Sequence, residues 1–149
     1  MEIKKILFPY DLSENALKII PFVLSFSEVY KSTIYLLHVV DVLEKWGQVF
    51  IPYASMDAFE KKALEVAEDA LGRVCEEHFR RYPNFQKRIV SGDPITEILT
   101  TIDSEGVDLV IMGTHGRKGL EHTIFGSVAE NVVKKSPAPV LTINPYKLK

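Results

Sequence analysis

The chain has 149 residues, 46% of them hydrophobic, a formal net charge of −2 and a single cysteine, Cys75. That length suits one domain with a substantial core, and the near-neutral charge supplies no global basic field for nucleic acid or an anionic membrane. One cysteine leaves no internal disulfide framework, no uninterrupted apolar run of about 18 residues predicts a membrane span, and no secretory signal is evident, so a cytoplasmic protein is expected.

Along the chain, short apolar runs alternate with longer amphipathic stretches. Ile3 and Ile6-Leu7-Phe8 predict a first strand. Ser13 is a suitable N-cap for a helix over residues 13–30, with apolar positions at Ala16, Leu17, Ile20, Val23, Leu24 and Phe26. Pro21 interrupts that pattern and predicts a kink or a displaced turn. Residues 33–39 form the second predicted strand. Residues 56–81 predict a long helix with a stripe through Phe59, Ala63, Val66, Ala67, Ala70, Leu71, Val74 and Phe79. Residues 85–90 are a shorter, more polar strand, expected nearer a sheet edge. Asp93-Pro94 carries both cues of a helix start, an acidic cap and proline at the first helical position, and Gly106 ends that helix. Residues 107–112 predict a buried fourth strand. Ser127 and Glu130 make an S-x-x-E capping box that predicts a helix from Ser127 to about Lys135. Ser136-Pro137-Ala138-Pro139 breaks it, and Val140-Leu141-Thr142-Ile143 is the last strand.

Strands alternating with helices predict a doubly wound α/β fold: one open, twisted, five-stranded parallel sheet with helices on both faces, in one domain over residues 1–149. Periodicity leaves the strand order open between 2-1-3-4-5 and 3-2-1-4-5. The unusual chemistry follows strands one and four, which favours placing those two side by side at the switch point.

That chemistry centres on Gly113-Thr114-His115-Gly116, nine further residues, then Gly126-Ser127. A strand leads into this loop and a helix leaves it. Glycines let backbone approach phosphate oxygens, and helix-start N–H groups point at the same place. The same glycines would also serve plain turns, and Ser127 would also serve as a cap. The Walker pattern and G-x-G-x-x-G are both absent. Arg117 and Lys118 are candidates to neutralise phosphate charge, or are simply solvated. Asp11, at the end of strand one, is a candidate for a ribose hydroxyl or a water-bridged magnesium ion, or else a helix-start acid.

The spacing G-x2-G-x9-G-S resembles the nucleotide-binding signature of the universal stress protein family. The resemblance extends over nearly the whole chain. Residues 4–13, KKILFPYDLS, are similar to that family's opening strand and turn, and residues 36–41, LLHVVD, to its second strand. Residues 107–116 and 136–143 are similar to its fourth and fifth strands. The resemblance implies the Rossmann-like order 3-2-1-4-5 and ATP with Mg2+ or Mn2+ as ligand. It implies that Pro9 and Val39 flank the adenine, Val39 through its main chain, and that Asp11 lies beside the nucleotide. It places Gly113, Gly116, Gly126 and Ser127 at the phosphates, with Thr114, His115, Arg117, Lys118 and Gly119 between them and Val128 and Ala129 offering backbone N–H groups. It also implies a homodimer through the edge strand Val140, Leu141, Thr142 and Ile143, which carries little charge and exposes backbone groups.

The function expected is a nucleotide-dependent regulatory switch, with a slow ATP hydrolase and a nucleotide-free interaction protein as alternatives. No dedicated catalytic base stands out, and strand one lacks the S-G-G-x-D-S-like loop of an ATP pyrophosphatase. His38, His78, His115 and His122 show no metal-ligand spacing. His38 is expected in the core, His78 at the surface, and His115 near phosphate, where its backbone matters more than its ring. Cys75 is expected to be a buried, inert thiol. The long apolar segment between strand two and the long helix, with Trp46, Val49, Phe50, Ile51, Pro52 and Tyr53, is a candidate cover for the adenine, a partner contact or a satellite packing cluster.

Overall fold

A computed structural model describes residues 1–42, 55–117, 122 and 125–149. The apolar segment carrying Trp46 and Tyr53, and the loop residues Lys118 and Gly119, lie outside the described residues.

The strands are β1 (Lys5–Pro9), β2 (Thr33–Val40), β3 (Phe85–Ser91), β4 (Leu109–Gly113) and β5 (Val140–Ile143). All pair in parallel, in the order β3-β2-β1-β4-β5. Side chains alternate between the two faces of a strand, and both faces are covered. Ile6, Phe8, Ile34, Leu36 and Ile111 face one core with Ile20, Val23, Leu71 and Phe79. Leu7, Tyr35, Leu37, Val110 and Met112 face the other with Ile98, Ile102, Ala129 and Val132. This two-sided burial explains why the central strands read as continuous apolar runs. The more polar β3 lies at an edge with its middle exposed.

Pro21 does displace a turn. The first helical stretch is split into α1 (Glu14–Leu17), capped by the Ser13 side chain, and α2 (Ile20–Tyr30), with Pro21 in its first turn where a missing N–H costs little. Helix α3 (Met56–Val74) continues into a π-helical turn (Cys75–Phe79) that ends with Phe79 fully buried. The predicted stripe on α3 is too wide. Ala67 and Leu71 are buried, but Val66 is 54% exposed, because it sits about 100° around the helix from Ala67. Helix α4 (Pro94–Glu105) has the anticipated ends. The Asp93 carboxylate accepts the Thr96 N–H at 2.8 Å, and Gly106 closes the helix at φ 61°.

Helix α5 (Ser127–Lys135) corrects the capping-box reading. Gly126 is the N-cap and Ser127 the first helical residue, with no side-chain cap bond. The cause is tertiary. The Gly126 N–H donates to the Thr114 carbonyl at 2.7 Å, which fixes Gly126 in extended backbone, and its carbonyl accepts the Glu130 N–H at 3.0 Å to begin the helix. Glu130 pairs instead with Lys134, at 2.6 Å one turn later.

Candidate nucleotide site

The chain leaves β1 toward β2 on one side and later returns to β4 on the other, so the carboxyl ends of β1 and β4 border the crevice where such sheets bind ligands. A cavity of about 790 Å³ opens there, within the size range of small-molecule and cofactor sites.

Every described candidate lines this cavity. Pro9 and Asp11 come from the end of β1, and Val39 from β2. Gly113, Thr114, His115, Gly116 and Arg117 follow β4. Gly126, Ser127, Val128 and Ala129 form the start of α5. Residues up to about 120 positions apart are therefore gathered on one concave surface.

Gly116 and Gly113 are crowded positions, Gly126 has room for a Cβ at ordinary contact distance, and none of the three has left-handed backbone. Among the described residues the positive-φ glycines are Gly92 and Gly106, outside the loop. A Cβ added at Gly116 would lie 2.6 Å from Asp11 Oδ2, one at Gly113 3.2 Å from the His115 carbonyl, and one at Gly126 3.4 Å from the Thr114 carbonyl. Gly113 and Gly126 thus lie against loop backbone, and Gly116 against the Asp11 carboxylate. The left-handed position at this corner is Leu12, at φ 63°, immediately after Asp11.

Asp11 has the helix-start character anticipated for it. Its Oδ1 accepts the Ser13 N–H at 3.0 Å and the Ser13 hydroxyl, as a helix-start acid would. Its Oδ2 is turned toward Gly116. Arg117, anticipated either at phosphate or simply solvated, donates from Nε to the Asp11 carbonyl at 2.9 Å and so ties the glycine loop to the β1 corner. His115 is 5% exposed, with Nδ1 2.7 Å from Thr114 Oγ1 and its ring edge-on to Tyr146. Its ring is committed to the protein interior, leaving its backbone to the loop.

His38 is buried, as expected, with Nδ1 2.7 Å from the Tyr10 carbonyl. A carbonyl only accepts, so Nδ1 carries the hydrogen. His38 also lines the cavity, a role its apolar surroundings in the sequence concealed. The neighbouring Tyr10 hydroxyl is pushed up to about 12, by burial first and then by nearby negative charge from Asp11; it stays protonated at neutral pH. Cys75 packs against the core, and burial raises its thiol pKa, in keeping with an inert thiol. His78 is partly exposed beside Glu77.

Sequence reasoning missed Asp41 and Asp93 as cavity residues. Asp93 was legible as a cap, and its position just beyond β3 was the available signal. Hydrogen bonds from Thr96 hold its carboxyl below the usual carboxylate range. Asp11, Asp41 and Asp93 make the lining acidic, with Arg117 its one Lys or Arg among the described residues. A polyanion placed here would therefore depend on backbone N–H groups, the α5 dipole and a bridging cation. Among the described residues no group of three or more His, Cys, Asp or Glu side chains forms a metal cage. One carboxylate shared with phosphates is the usual way magnesium is held, and Asp11 fits that donor role.

Residues 2–144 match the family model of the universal stress protein family. The universal stress protein MJ0577 of Methanocaldococcus jannaschii is 35% identical over 152 aligned positions, covering 94% of each chain. The chain belongs to the universal stress protein family. A second relative from that organism, universal stress protein MJ0531, is 30% identical, covering 97% of this chain and 84% of its own. The solved structure of MJ0577 superposes with a TM-score of 0.85 at 34% identity, covering 97% of both chains. Universal stress proteins share the Rossmann-like α/β fold seen here, including the order 3-2-1-4-5. Two more distant universal stress proteins, each 16% identical, were solved with adenine nucleotides. One, from Archaeoglobus fulgidus, is in complex with dAMP (TM-score 0.58, covering 97% of this chain and 100% of that one). The other is in complex with cAMP (TM-score 0.62, covering 97% and 99%). No helix among the described residues is long and apolar enough to cross a membrane.

Proposed function

We propose that residues 1–149 form one nucleotide-binding domain that holds ATP with Mg2+ or Mn2+ and acts as a nucleotide-dependent regulatory switch. The observation that carries this reading is the concave surface on which the 113–117 loop and the start of α5 line a cavity of nucleotide size at the end of β1. The N–H groups of Ser127, Val128 and Ala129 lie at the positive end of the α5 dipole and would hold phosphate oxygens. Asp11 would share the cation with those oxygens.

The other end of the cavity suits a base. Tyr10 N–H bonds the Leu37 carbonyl on one side of β2, and Gly92 N–H bonds the Val40 carbonyl on the opposite side. By alternation the backbone of Val39 faces the side where β1 has ended. Its N–H and carbonyl are positioned to read an adenine edge, between apolar walls that include Pro9 and Ile98. Slow turnover fits the engagement of Asp11 Oδ1 by the Ser13 N–H and hydroxyl, which occupies that oxygen and keeps it from orienting an attacking water. The resemblance further leads us to propose a homodimer through β5.

Ligand released by acid from freshly purified protein, identified by mass spectrometry, tests this reading. Intact ATP is expected, with saturable Mg-ATP binding on titration. Recovery of ADP or AMP alone would favour a hydrolase, and no binding from micromolar to millimolar ATP would favour a nucleotide-free interaction protein.

A further inference from the structure

We infer that the C-terminal turn of residues 144–146, with Asn15 of α1, is a positioning element that sets the glycine loop for phosphate; this rests on the nucleotide-binding reading above. None of Asn15, Lys18 or Tyr146 lines the cavity. All three act on the loop or on its support. Asn15 Nδ2 donates both to the Tyr146 hydroxyl at 3.0 Å and to the Gly116 carbonyl, a longer bond at 3.4 Å. The Tyr146 ring meets the buried His115 ring edge-on, with centroids 5.1 Å apart. Lys18 Nζ lies 5.8 Å from the Tyr146 ring centroid and 3.5 Å from the Pro145 carbonyl. Asn144 Oδ1 accepts the Tyr146 N–H at 3.0 Å and closes the turn. Just upstream, the Ile143 carbonyl accepts the Thr114 N–H at 2.9 Å.

These contacts set the direction of a peptide plane. A trans peptide points its C=O and the following N–H in opposite directions. Asn15 draws the Gly116 carbonyl toward itself, and the Arg117 N–H is thereby turned the other way. Without that anchor the plane is free to rotate and offer a carbonyl oxygen where an anion needs a donor. Tyr146 fixes Asn15 by accepting its second N–H, and fixes His115 through the ring contact. A loop whose side-chain cations are few depends heavily on such amide orientation.

The test compares wild type with Tyr146→Ala, Tyr146→Phe and Asn15→Ala by Mg-ATP titration and by amide hydrogen exchange of the nucleotide-free proteins. Tyr146→Ala should weaken Mg-ATP by about tenfold, the loss of roughly one well-placed charged hydrogen bond. Tyr146→Phe keeps the ring contact and should recover part of that loss. Exchange at residues 113–117 should quicken in Tyr146→Ala and Asn15→Ala while the β1 and β2 amides keep wild-type protection. Faster exchange throughout the sheet would mean a merely structural role and overturn the inference. So would unchanged loop exchange with Mg-ATP affinity within twofold of wild type. If wild type itself binds no Mg-ATP, the nucleotide reading fails and this inference falls with it; if wild type binds and the variants match it, only this inference fails.

Discussion

At the residue scale the decisive atoms at Gly116 are the missing ones. A side chain there meets Asp11 Oδ2 at 2.6 Å, the end of a flexible side chain, so the fold can adjust while the carboxylate is pushed from its place. Gly116→Val should therefore abolish measurable Mg-ATP binding, a loss of about 100-fold or more, the scale of a few lost charged contacts. Its thermal midpoint should stay within a few degrees of wild type. Wild-type affinity in that variant, by calorimetric titration, would contradict the loop assignment. The presence of the loop was legible from Gly113, Gly116 and Gly126 in sequence. The crowding at Gly113 and Gly116 was not, because the neighbour that each hydrogen accommodates is set by tertiary packing.

At the element scale, helix ends divide into those written locally and those set from a distance. Asp93 and Pro94 start α4 through neighbours within three residues, and the cap forms as read. Ser127 and Glu130 carry an equally good local pattern, yet Gly126 becomes the cap because Thr114, twelve residues earlier, accepts its N–H. The same limit hid Asn15 and Tyr146, whose contacts span 101 and 131 residues. The α4 cap gives a pH prediction. Asp93 has a lowered pKa when folded, so its contribution is present above the ordinary carboxylate pKa and is lost as pH falls through the folded value. Asp93→Ala should cost about 1 kcal/mol near pH 7. That difference from wild type, followed by urea unfolding, should shrink toward zero as pH falls through the folded value; a gap that is constant with pH would exclude a carboxylate cap.

At the scale of the whole molecule, alternation of strand and helix made the doubly wound class legible, but the strand order came from the placement of chemistry and from family resemblance. Periodicity carries no information about which parallel strands are neighbours. The order puts β5 at an edge. The carbonyl of Pro139, just before it, and that of its own Ile143 bond inward to Val110 and Thr114, so by alternation the groups of Val140 and Thr142 face outward. Thr142→Pro removes an outward donor and spares the inner ladder, a substitution edge strands accommodate. Light scattering at micromolar concentration should give a dimer for wild type and a monomer for Thr142→Pro; a monomeric wild type would rule out assembly through this edge.

The carbonyl that Ile143 gives to Thr114 has a wider meaning. One four-residue ribbon holds the rim of the crevice with its inner row of atoms and offers the outer row to whatever lies alongside. Anything that clasps this rim more firmly in one arrangement of the crevice than in another must alter the crevice's affinity, and thermodynamic reciprocity requires an occupied crevice to alter the clasp by the same factor.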